Sequence, residues 1–378
     1  MKQVMIVAGE ASGDLHGGKL VTDVLNKNKD IHFFGIGGSD MREAGVEVLV
    51  DSSELAVVGL FEILVHRKAI FSALDKMKAL LTKQPPDLLL LIDYPEFNLR
   101  LAKHAKSCGV KVLFYISPQI WAWRQKRVHK IKKVVDMMAV VFPFEEDFYK
   151  KYDVPVTYVG HPLTGEVYPS KNKEQLLDDF HLNPKTKHVG LFPGSRKSEI
   201  KRLLPIILKS ANKLAEDDNN TEFLLPIAST LSKNDFLPYL GQYAHLRIHL
   251  IENRPYDVMK AADAIVTVSG TVTLEIALIG TPMVIINKLS WMTYLIVRRM
   301  IKIKFIGLCN IIANRQLVPE LVQCMAKPVL IAKLLNKMLC NIDYSNQLKE
   351  NLGNVKLILA EDKNKKDISD VTLEMLNQ

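Results

Sequence analysis

The chain has 378 residues, of which 48% are hydrophobic and 24% charged, and its formal net charge is +9. This composition excludes a disordered chain, and the length is too great for one ordinary hydrophobic core, so we expect two domains. No apolar run approaches the ~18 residues of a membrane-spanning helix. The positive charge favours a phosphorylated substrate, an anionic membrane surface or nucleic acid as partner, unless it only reflects lysine-rich usage.

The four cysteines are scattered, with no C-x-x-C pair and no histidine cluster at zinc spacing. This favours structural thiols in a reducing compartment. The apolar stretch at the N-terminus is too short for a signal peptide and leads directly into a strand and a turn. We therefore expect a cytoplasmic protein with no resident metal and no other cofactor.

Short apolar runs alternate with helix-length segments along the chain. In the first half the predicted strands are residues 4–8, 32–36, 88–92, 111–115, 137–141 and 157–159. In the second half they are residues 189–192, 223–226, 247–251, 264–268 and 283–286. Near-continuous apolar strands separated by helices are typical of parallel sheets that are covered on both faces. The pattern predicts an α/β protein made of two doubly wound halves with a cleft between them.

The halves are separated by a break at residues 160–162 and a polar stretch from 170 to 187. We place an N-terminal Rossmann-like domain at residues 1–165 and a C-terminal one at 186–340. Residues 341–378 have a helical composition, and this tail could pack back over the N-terminal domain.

Ligands of such sheets bind beyond the carboxyl ends of the strands, so the residues that follow each strand are informative. Gly9 and Gly13 in the first turn allow a close approach of backbone to ligand. Glu10 would repel a phosphate there, and it suits sugar hydroxyls better. Ser12 and Asp14 could contact the same ligand or could only cap the helix.

Asp93 follows the strand at 88–92 and precedes Tyr94 and Pro95. A carboxylate at the end of a strand that faces a cleft is well placed to act as a general base. Because Pro95 suits the first turn of a helix, Asp93 could instead serve only at the helix entry.

The segment SPQIWAWR follows the strand at 111–115 and combines two tryptophans with basic residues. Trp121 and Arg124 could stack on a sugar, a base or a lipid headgroup, or Trp121 could simply pack two helices together. No nucleic-acid-binding module is recognisable, so we expect no nucleic-acid partner. His161 lies at the break between the halves, and we expect a structural or ligand-adjacent role for it.

Two strand-to-helix turns, at residues 189–199 and 265–275, carry most of the functional information. Each follows an apolar run with small residues and then a helix that opens with hydroxyl groups, which directs free backbone N–H groups and a helix dipole at an anion. Gly194, Ser195 and Arg196 form the first turn, and the guanidinium group suits phosphate oxygens. Gly270 and Thr271 form the second. Together the two turns predict a site for a nucleoside diphosphate, and either turn alone could be an ordinary helix start.

Glu275 lies one turn into the helix that follows Thr271, where it could hold ribose hydroxyls. The chain has no D-x-D motif, which argues against a metal-clamped nucleotide-sugar site and for neutralisation by Arg196 and helix N-termini.

The segments at residues 57–81 and 291–305 mix large apolar side chains with lysine and arginine. Basic amphipathic helices of this kind can lie on an anionic bilayer. A helix that packs on the core with a basic outer edge would have the same pattern, so both interpretations stay open.

Taken together, these segments resemble the lipid-A-disaccharide synthases, a family of inverting glycosyltransferases. The resemblance runs in order from about residue 4 to residue 320, and SPQIWAWR together with PGSR is highly specific. The matching segments are GEASGDLHG (9–17), LAVVGLFEIL (55–64), IDYPEFN (92–98), SPQIWAWRQKR (117–127), VGHPL (159–163), LFPGSRKSEI (191–200) and SGTVTLE (269–275).

The resemblance implies a GT-B-like fold with an acceptor-binding N-terminal domain, a UDP-sugar-binding C-terminal domain and C-terminal helices that cross back to the first domain. It implies transfer from UDP-2,3-diacylglucosamine to 2,3-diacylglucosamine 1-phosphate (lipid X), with a β-1,6 bond formed and UDP released. The protein would then attach peripherally to the cytoplasmic face of the inner membrane, and a homodimer stays open.

By the same resemblance Asp93 is the candidate base and Arg196 a ligand of the donor phosphate. Asn310 falls on a functional asparagine of the family and would bind UDP, although Cys309 stands where proline is usual. Two other functions are considered: a UDP-sugar 2-epimerase, which shares the two-domain plan, and a non-catalytic nucleotide-sugar-binding protein.

Overall fold

The computed structural model describes residues 1–55, 62–300, 303–360 and 365–377, without the helix side chains at 62–67, 292–293 and 296–298. The chain divides into two compact units, the first made of Met1–Pro162 with Asp362–Gln378 and the second of Leu163–Glu361.

Unit 1 is built on a seven-stranded parallel sheet. Its strands are β1 (Lys2–Ala8), β2 (Ile31–Gly37), β3 (Glu47–Asp51), β4 (Leu88–Ile92), β5 (Lys111–Tyr115), β6 (Met137–Val140) and β7 (Val156–Tyr158). The helices are α1 (Ala11–Lys27), α2 (Ser39–Glu43), α3 (Glu62–Lys83), α4 (Pro95–Ser107), α5 (Ile120–Trp123), α6 (Val128–Ile131) and α7 (Pro143–Lys150). Strand β4 has the sequence LLLLI and is buried along its whole length, as expected of a parallel strand covered on both faces.

Unit 2 is built on a six-stranded parallel sheet. Its elements are α8 (Lys173–Asp179), β8 (Lys187–Phe192), α9 (Lys197–Asp217), β9 (Thr221–Ile227), α10 (Leu237–Leu240), β10 (Ile248–Glu252), α11 (Pro255–Ala261), β11 (Ala264–Val268), α12 (Val272–Ile279), β12 (Met283–Asn287), α13 (Trp291–Met300), α14 (Leu308–Ile312), β13 (Glu320–Val322), α15 (Pro328–Cys340) and α16 (Ile342–Ala360). The last helix, α17 (Ile368–Asn377), returns to unit 1, where Lys27 of α1 donates to Asp370 at 2.6 Å.

The predicted α/β fold is confirmed, and every predicted strand is present with bounds that differ by at most two residues from those expected. The edge strands β3 and β13 were not predicted.

The strand order in each sheet fixes where a ligand can bind. The first sheet has the order β3-β2-β1-β4-β5-β6-β7, and the second has the order β10-β9-β8-β11-β12-β13. In each, the chain reverses its direction of winding between two adjacent strands, β1 and β4 in the first and β8 and β11 in the second. A crevice opens outside the carboxyl ends of the strands at such a switch point.

Candidate functional site

The switch point of unit 2 holds a cavity of about 450 Å³. The turns after β8 and β11 meet there because the two strands pair directly, Leu191 beside Val266. Six of the seven residues predicted to bind the donor line this cavity: Gly194, Ser195, Arg196, Gly270, Thr271 and Glu275. The structure therefore brings the two predicted turns into one concave site.

The turn after β8 is held by the first residues of the helix that follows. Gly194 has φ of 110°, in the left-handed region that favours glycine, and a side chain there would collide with Glu199. The backbone N–H groups of Ser195 and Arg196 donate to Glu199 Oε2 at 3.0 and 3.3 Å. The guanidinium group of Arg196 stays 69% exposed, 3.6 Å from the other oxygen of Glu199. An anion at this mouth would meet Arg196 and the N-terminus of α9 and would share N–H donors with Glu199.

The turn after β11 is fixed by hydroxyl groups. Thr273 Oγ1 donates to the carbonyl of Gly270 at 2.8 Å and accepts the N–H of Leu308 at 3.0 Å. Ser269 Oγ donates to the carbonyl of Ile306 at 2.8 Å. These bonds tie the turn to the chain before α14, so that the start of α12 is held rigidly at the cavity.

Glu275 supplies a carboxylate to the cavity wall. Its Oε1 accepts the phenol of Tyr256 at 3.3 Å, and burial raises the pKa of the Glu275 carboxyl above its usual range. A carboxylate with one protein donor retains acceptor capacity for hydroxyl groups of a ligand. Tyr256 was not singled out from the sequence, because a single tyrosine at the start of α11 carries no signal of its own.

The switch point of unit 1 places Asp93 directly after β4. Both Asp93 and Tyr94 have left-handed backbones, with φ of 46° and 45°. Two consecutive non-glycine residues in this region are unfavourable and need support from their surroundings. Support comes from Asn98, whose Nδ2 donates to the carbonyls of Ile92 and Asp93 at 3.2 and 2.7 Å. The backbone N–H of Asp93 also donates to the backbone carbonyl of Tyr115 at 3.0 Å.

The electrostatic surroundings of Asp93 suit a proton acceptor. Burial raises the pKa of the Asp93 carboxyl to about 6, and the negative charge of Glu10 adds to the shift. Glu10 follows β1 and is exposed. A carboxylate whose pKa lies close to neutrality can take a proton and still be ionised at pH 7.

Comparison with known proteins identifies the family. A family model described as lipid-A-disaccharide synthetase matches residues 4–373. The lipid-A-disaccharide synthase of Geobacter metallireducens is 50% identical over all of this chain and 98% of its own length. That of Nitrosococcus oceani is 54% identical over 87% of this chain and 85% of its own. The chain belongs to the lipid-A-disaccharide synthase family.

Solved structures of other proteins share the fold. The UDP-GlcNAc 2-epimerase of Neisseria meningitidis, bound to UDP-GlcNAc, superimposes with a TM-score of 0.64 over all of both chains at 14% identity. The kitacinnamycin glycosyltransferase superimposes with 0.65 over 99% of this chain and 98% of its own at 13% identity. The fold is thus GT-B-like, and membership of the lipid-A-disaccharide synthase family makes the chain a glycosyltransferase of lipid A biosynthesis.

Asn310, expected from the family resemblance to bind UDP, is fully buried and does not line the cavity. Its Nδ2 donates to the carbonyl of Val318 at 3.0 Å and to Glu320 at 2.7 Å, and its Oδ1 accepts the N–H groups of Leu317 and Val318 at 2.7 and 3.1 Å. All of these hydrogen-bond partners belong to the protein. The Asn310 amide therefore holds the loop before β13.

Trp121 and Asp14 were also predicted to contact a ligand, but their side chains bind other parts of the protein. Trp121 is 6% exposed, and its Nε1 donates to the buried Glu145 at 2.9 Å, so it fixes the segment after β5 and offers no open face. Asp14 is 4% exposed and accepts the N–H groups of Gly38, Asp40 and Met41 at 2.5, 3.1 and 3.2 Å. It therefore caps α2 rather than reaching outward.

The remaining predicted contacts of unit 1 lie at the surface or near it. Ser12 is exposed in the first turn of α1. Arg124 has its guanidinium carbon 4.0 Å from the ring centre of the half-exposed Trp123, so Trp123 carries the exposed aromatic surface. His161 lies 4.9 Å from the Phe142 ring, and burial together with His16 lowers its pKa to about 4, which makes it neutral at pH 7.

The two segments with a basic amphipathic pattern are only partly visible. Residues 56–61 and 301–302 lie outside the described residues. On α13, Trp291 is 70% and Leu295 44% exposed. Among the described residues, no helix is both long enough and apolar enough to cross a bilayer.

Proposed function

We propose that the chain transfers 2,3-diacylglucosamine from its UDP derivative to the 6-hydroxyl of 2,3-diacylglucosamine 1-phosphate, with inversion at the anomeric carbon. The product is a β-1,6-linked disaccharide 1-phosphate, and UDP leaves. The proposal is carried by Asp93, a partly buried carboxylate with a raised pKa at a switch point of a chain that belongs to the lipid-A-disaccharide synthase family.

In the proposed reaction, Asp93 accepts the proton of the acceptor 6-hydroxyl while that oxygen attacks the anomeric carbon of the donor. The bond from the anomeric carbon to the β-phosphate oxygen breaks, and its electron pair leaves with UDP. A single displacement of this kind inverts the anomeric configuration.

The leaving diphosphate is proposed to bind between the turns at Gly194–Arg196 and Gly270–Thr271. Helix N-termini and Arg196 offset its growing negative charge, so we propose that no metal ion is required. Glu275 is proposed to accept hydrogen bonds from the ribose hydroxyls, in the orientation set by Tyr256.

The test is UDP release from UDP-2,3-diacylglucosamine in detergent micelles that contain EDTA, with and without the acceptor. We expect release that depends on the acceptor and persists in the chelator. Release only after Mg²⁺ is added would contradict the metal-free mechanism. Interconversion of UDP-GlcNAc and its 2-epimer without release would favour an epimerase, and UDP binding without turnover would favour a binding protein.

Acylated substrates reside in a bilayer, and we propose that the protein attaches to one peripherally through α13. The exposed Trp291 and Leu295 are four residues apart and so share one face of the helix, with the exposed Arg299 one further turn along. Aromatic, aliphatic and basic side chains on one surface suit the interface of an anionic membrane.

A further inference from the structure

A second cavity, of about 400 Å³, lies in unit 1 next to the candidate base. It opens between the turn after β3, helix α3 and the start of α4. Most of the described side chains that line it are apolar: Leu55, Ile70, Phe71, Leu74, Tyr94 and Phe97. The cavity is thus chemically unlike the donor site, whose lining is rich in turn residues and polar groups.

The floor of this cavity is part of the hydrophobic core, and among the described residues its outer side is open. Leu55, Leu74 and Phe97 are at most 4% exposed, whereas Phe71 is 42% exposed. The guanidinium carbon of Arg100 lies 5.8 Å from the centre of the Phe71 ring, at the exposed side. A mostly apolar cavity with a buried floor suits an apolar ligand such as a hydrocarbon chain.

The wall on the side of the base is fixed by Tyr94. Its ring lies over Gly9, where an added Cβ would come within 2.3 Å of Tyr94 Cδ1. Its hydroxyl donates to the carbonyl of Leu55 at 3.4 Å, and its ring centre is 5.7 Å from that of Phe97. Only a residue without a side chain fits at position 9, so the shape of this wall depends on Gly9.

Asp93 does not itself line the cavity, but two of its neighbours do. Tyr94 is the next residue in the chain, and Glu10 both lines the cavity and raises the pKa of Asp93. Because Glu10 is both a lining residue and an electrostatic neighbour of Asp93, the cavity and the candidate base lie close together in unit 1.

We propose that this cavity binds one fatty acyl chain of the acceptor sugar and so presents the acceptor hydroxyl to Asp93. The inference rests on the proposed function and adds a chain-binding subsite to it. Each methylene group that leaves water for such a cavity strengthens binding by about fourfold, so the site would favour long-chain acceptors over short-chain ones.

The test fills the cavity from helix α3. Ile70→Trp adds bulk at the lining, and Ser72→Trp adds the same side chain at an exposed position of the same helix outside the lining. Steady-state rates are measured with a long-chain and a short-chain 2,3-diacylglucosamine 1-phosphate. In Ile70→Trp we expect the acceptor KM to rise about tenfold or more for the long-chain acceptor and little for the short-chain one. The reason is that several methylene groups of the long chain can no longer be buried in the cavity. Ser72→Trp should match the wild type.

Phe71→Ala serves as a second variant, because it removes apolar surface at the open side without crowding the core. Its long-chain KM should rise while its short-chain KM stays unchanged. Vesicle binding of all three variants should equal that of the wild type, which separates a single bound chain from attachment to the bilayer.

Three outcomes would overturn the inference. The acceptor preference for long chains could survive both cavity variants, the change could appear in the KM of the donor instead, or vesicle binding could fall in parallel with activity. Failure of the proposed function is distinguishable from all three, because the wild type itself would then show no acceptor-dependent UDP release.

Discussion

Glu10 and Asp93 are two carboxylates that follow neighbouring strands, and the fold gives them different surroundings. Glu10 is exposed at the start of α1, whereas Asp93 is partly buried on a left-handed turn. The low polarity around Asp93 and the negative charge of Glu10 both disfavour its ionised form. One carboxylate thereby tunes the proton affinity of the other.

This arrangement predicts the pH dependence of the reaction. Because the base must be ionised, kcat/KM should fall about tenfold per pH unit below the Asp93 pKa of about 6 and level off above it. Asp93→Asn should lower the rate by ~10²–10⁴ and leave UDP affinity unchanged. Glu10→Gln removes the neighbouring negative charge, so the acid limb should move to lower pH.

Glu43→Gln is the control for the charge effect, because Glu43 is exposed on α2 and does not contribute to the Asp93 shift. Its pH–rate profile should match the wild type. A Glu10→Gln profile that does not move would show that Glu10 does not shift the Asp93 pKa, and an Asp93→Asn variant with near-full rate would remove Asp93 from the role of base.

Individual residues differ in how far the sequence could predict them. Asp93 and the glycine turns were identifiable because they directly follow apolar strands, and strand ends are where ligands bind. Asp14 and Trp121 hydrogen-bond to partners 24 or more residues away in the chain. Asn310 hydrogen-bonds to the loop before β13. No local pattern encodes such partners.

At the level of elements, all strands were predictable except the edge strands β3 and β13. Strands β3 and β13 are short and only partly buried, so neither has the continuous apolar run of an interior strand. They pair with β2 and β12, and pairing is a property of the folded sheet. β13 nevertheless matters for the site. Glu320 at its start accepts the N–H groups of Ile306 and Gly307, both at 2.9 Å, and so holds the segment to which the turn after β11 is hydrogen-bonded.

Asn310 holds the loop that joins α14 to β13, so removing the Asn310 amide should destabilise unit 2. Asn310→Ala would leave the buried N–H groups of Leu317 and Val318 without acceptors, and each such group costs about 1–3 kcal/mol. We expect the free energy of unfolding, measured by urea denaturation, to fall by roughly 2–4 kcal/mol. Where the Asn310→Ala variant is still folded, its affinity for UDP should fall far less than it would if the amide bound UDP directly.

Gln316→Ala in the same loop is exposed and provides the matched control, with an unfolding free energy close to that of the wild type. An Asn310→Ala variant of unchanged stability that has lost UDP binding would show instead that the amide contacts the nucleotide.

Over the whole molecule, two sheets of the same winding carry chemically different sites at their switch points. Unit 2 presents backbone N–H groups, Arg196 and Glu275, and unit 1 presents a partly buried carboxylate near an apolar cavity. A polar nucleotide and a lipid-bearing sugar make opposite demands on a protein surface. In the proposed function, unit 2 binds the UDP part of the donor and unit 1 binds one acyl chain of the acceptor, so each switch point meets one of these demands.

The net charge of +9 and the exposed face of α13 together predict binding to anionic membranes. In flotation with vesicles that contain anionic lipid, the wild type should float, and added salt should reduce binding because it screens the attraction. Trp291→Glu and Leu295→Glu should each reduce the floated fraction, since a carboxylate at this face opposes both insertion and attraction to the lipid. Leu237→Glu, 54% exposed on α10, changes the net charge equally and should float as the wild type does. Equal loss in all three variants would assign binding to net charge alone, and unaltered flotation of the α13 variants would show that this helix does not face the bilayer.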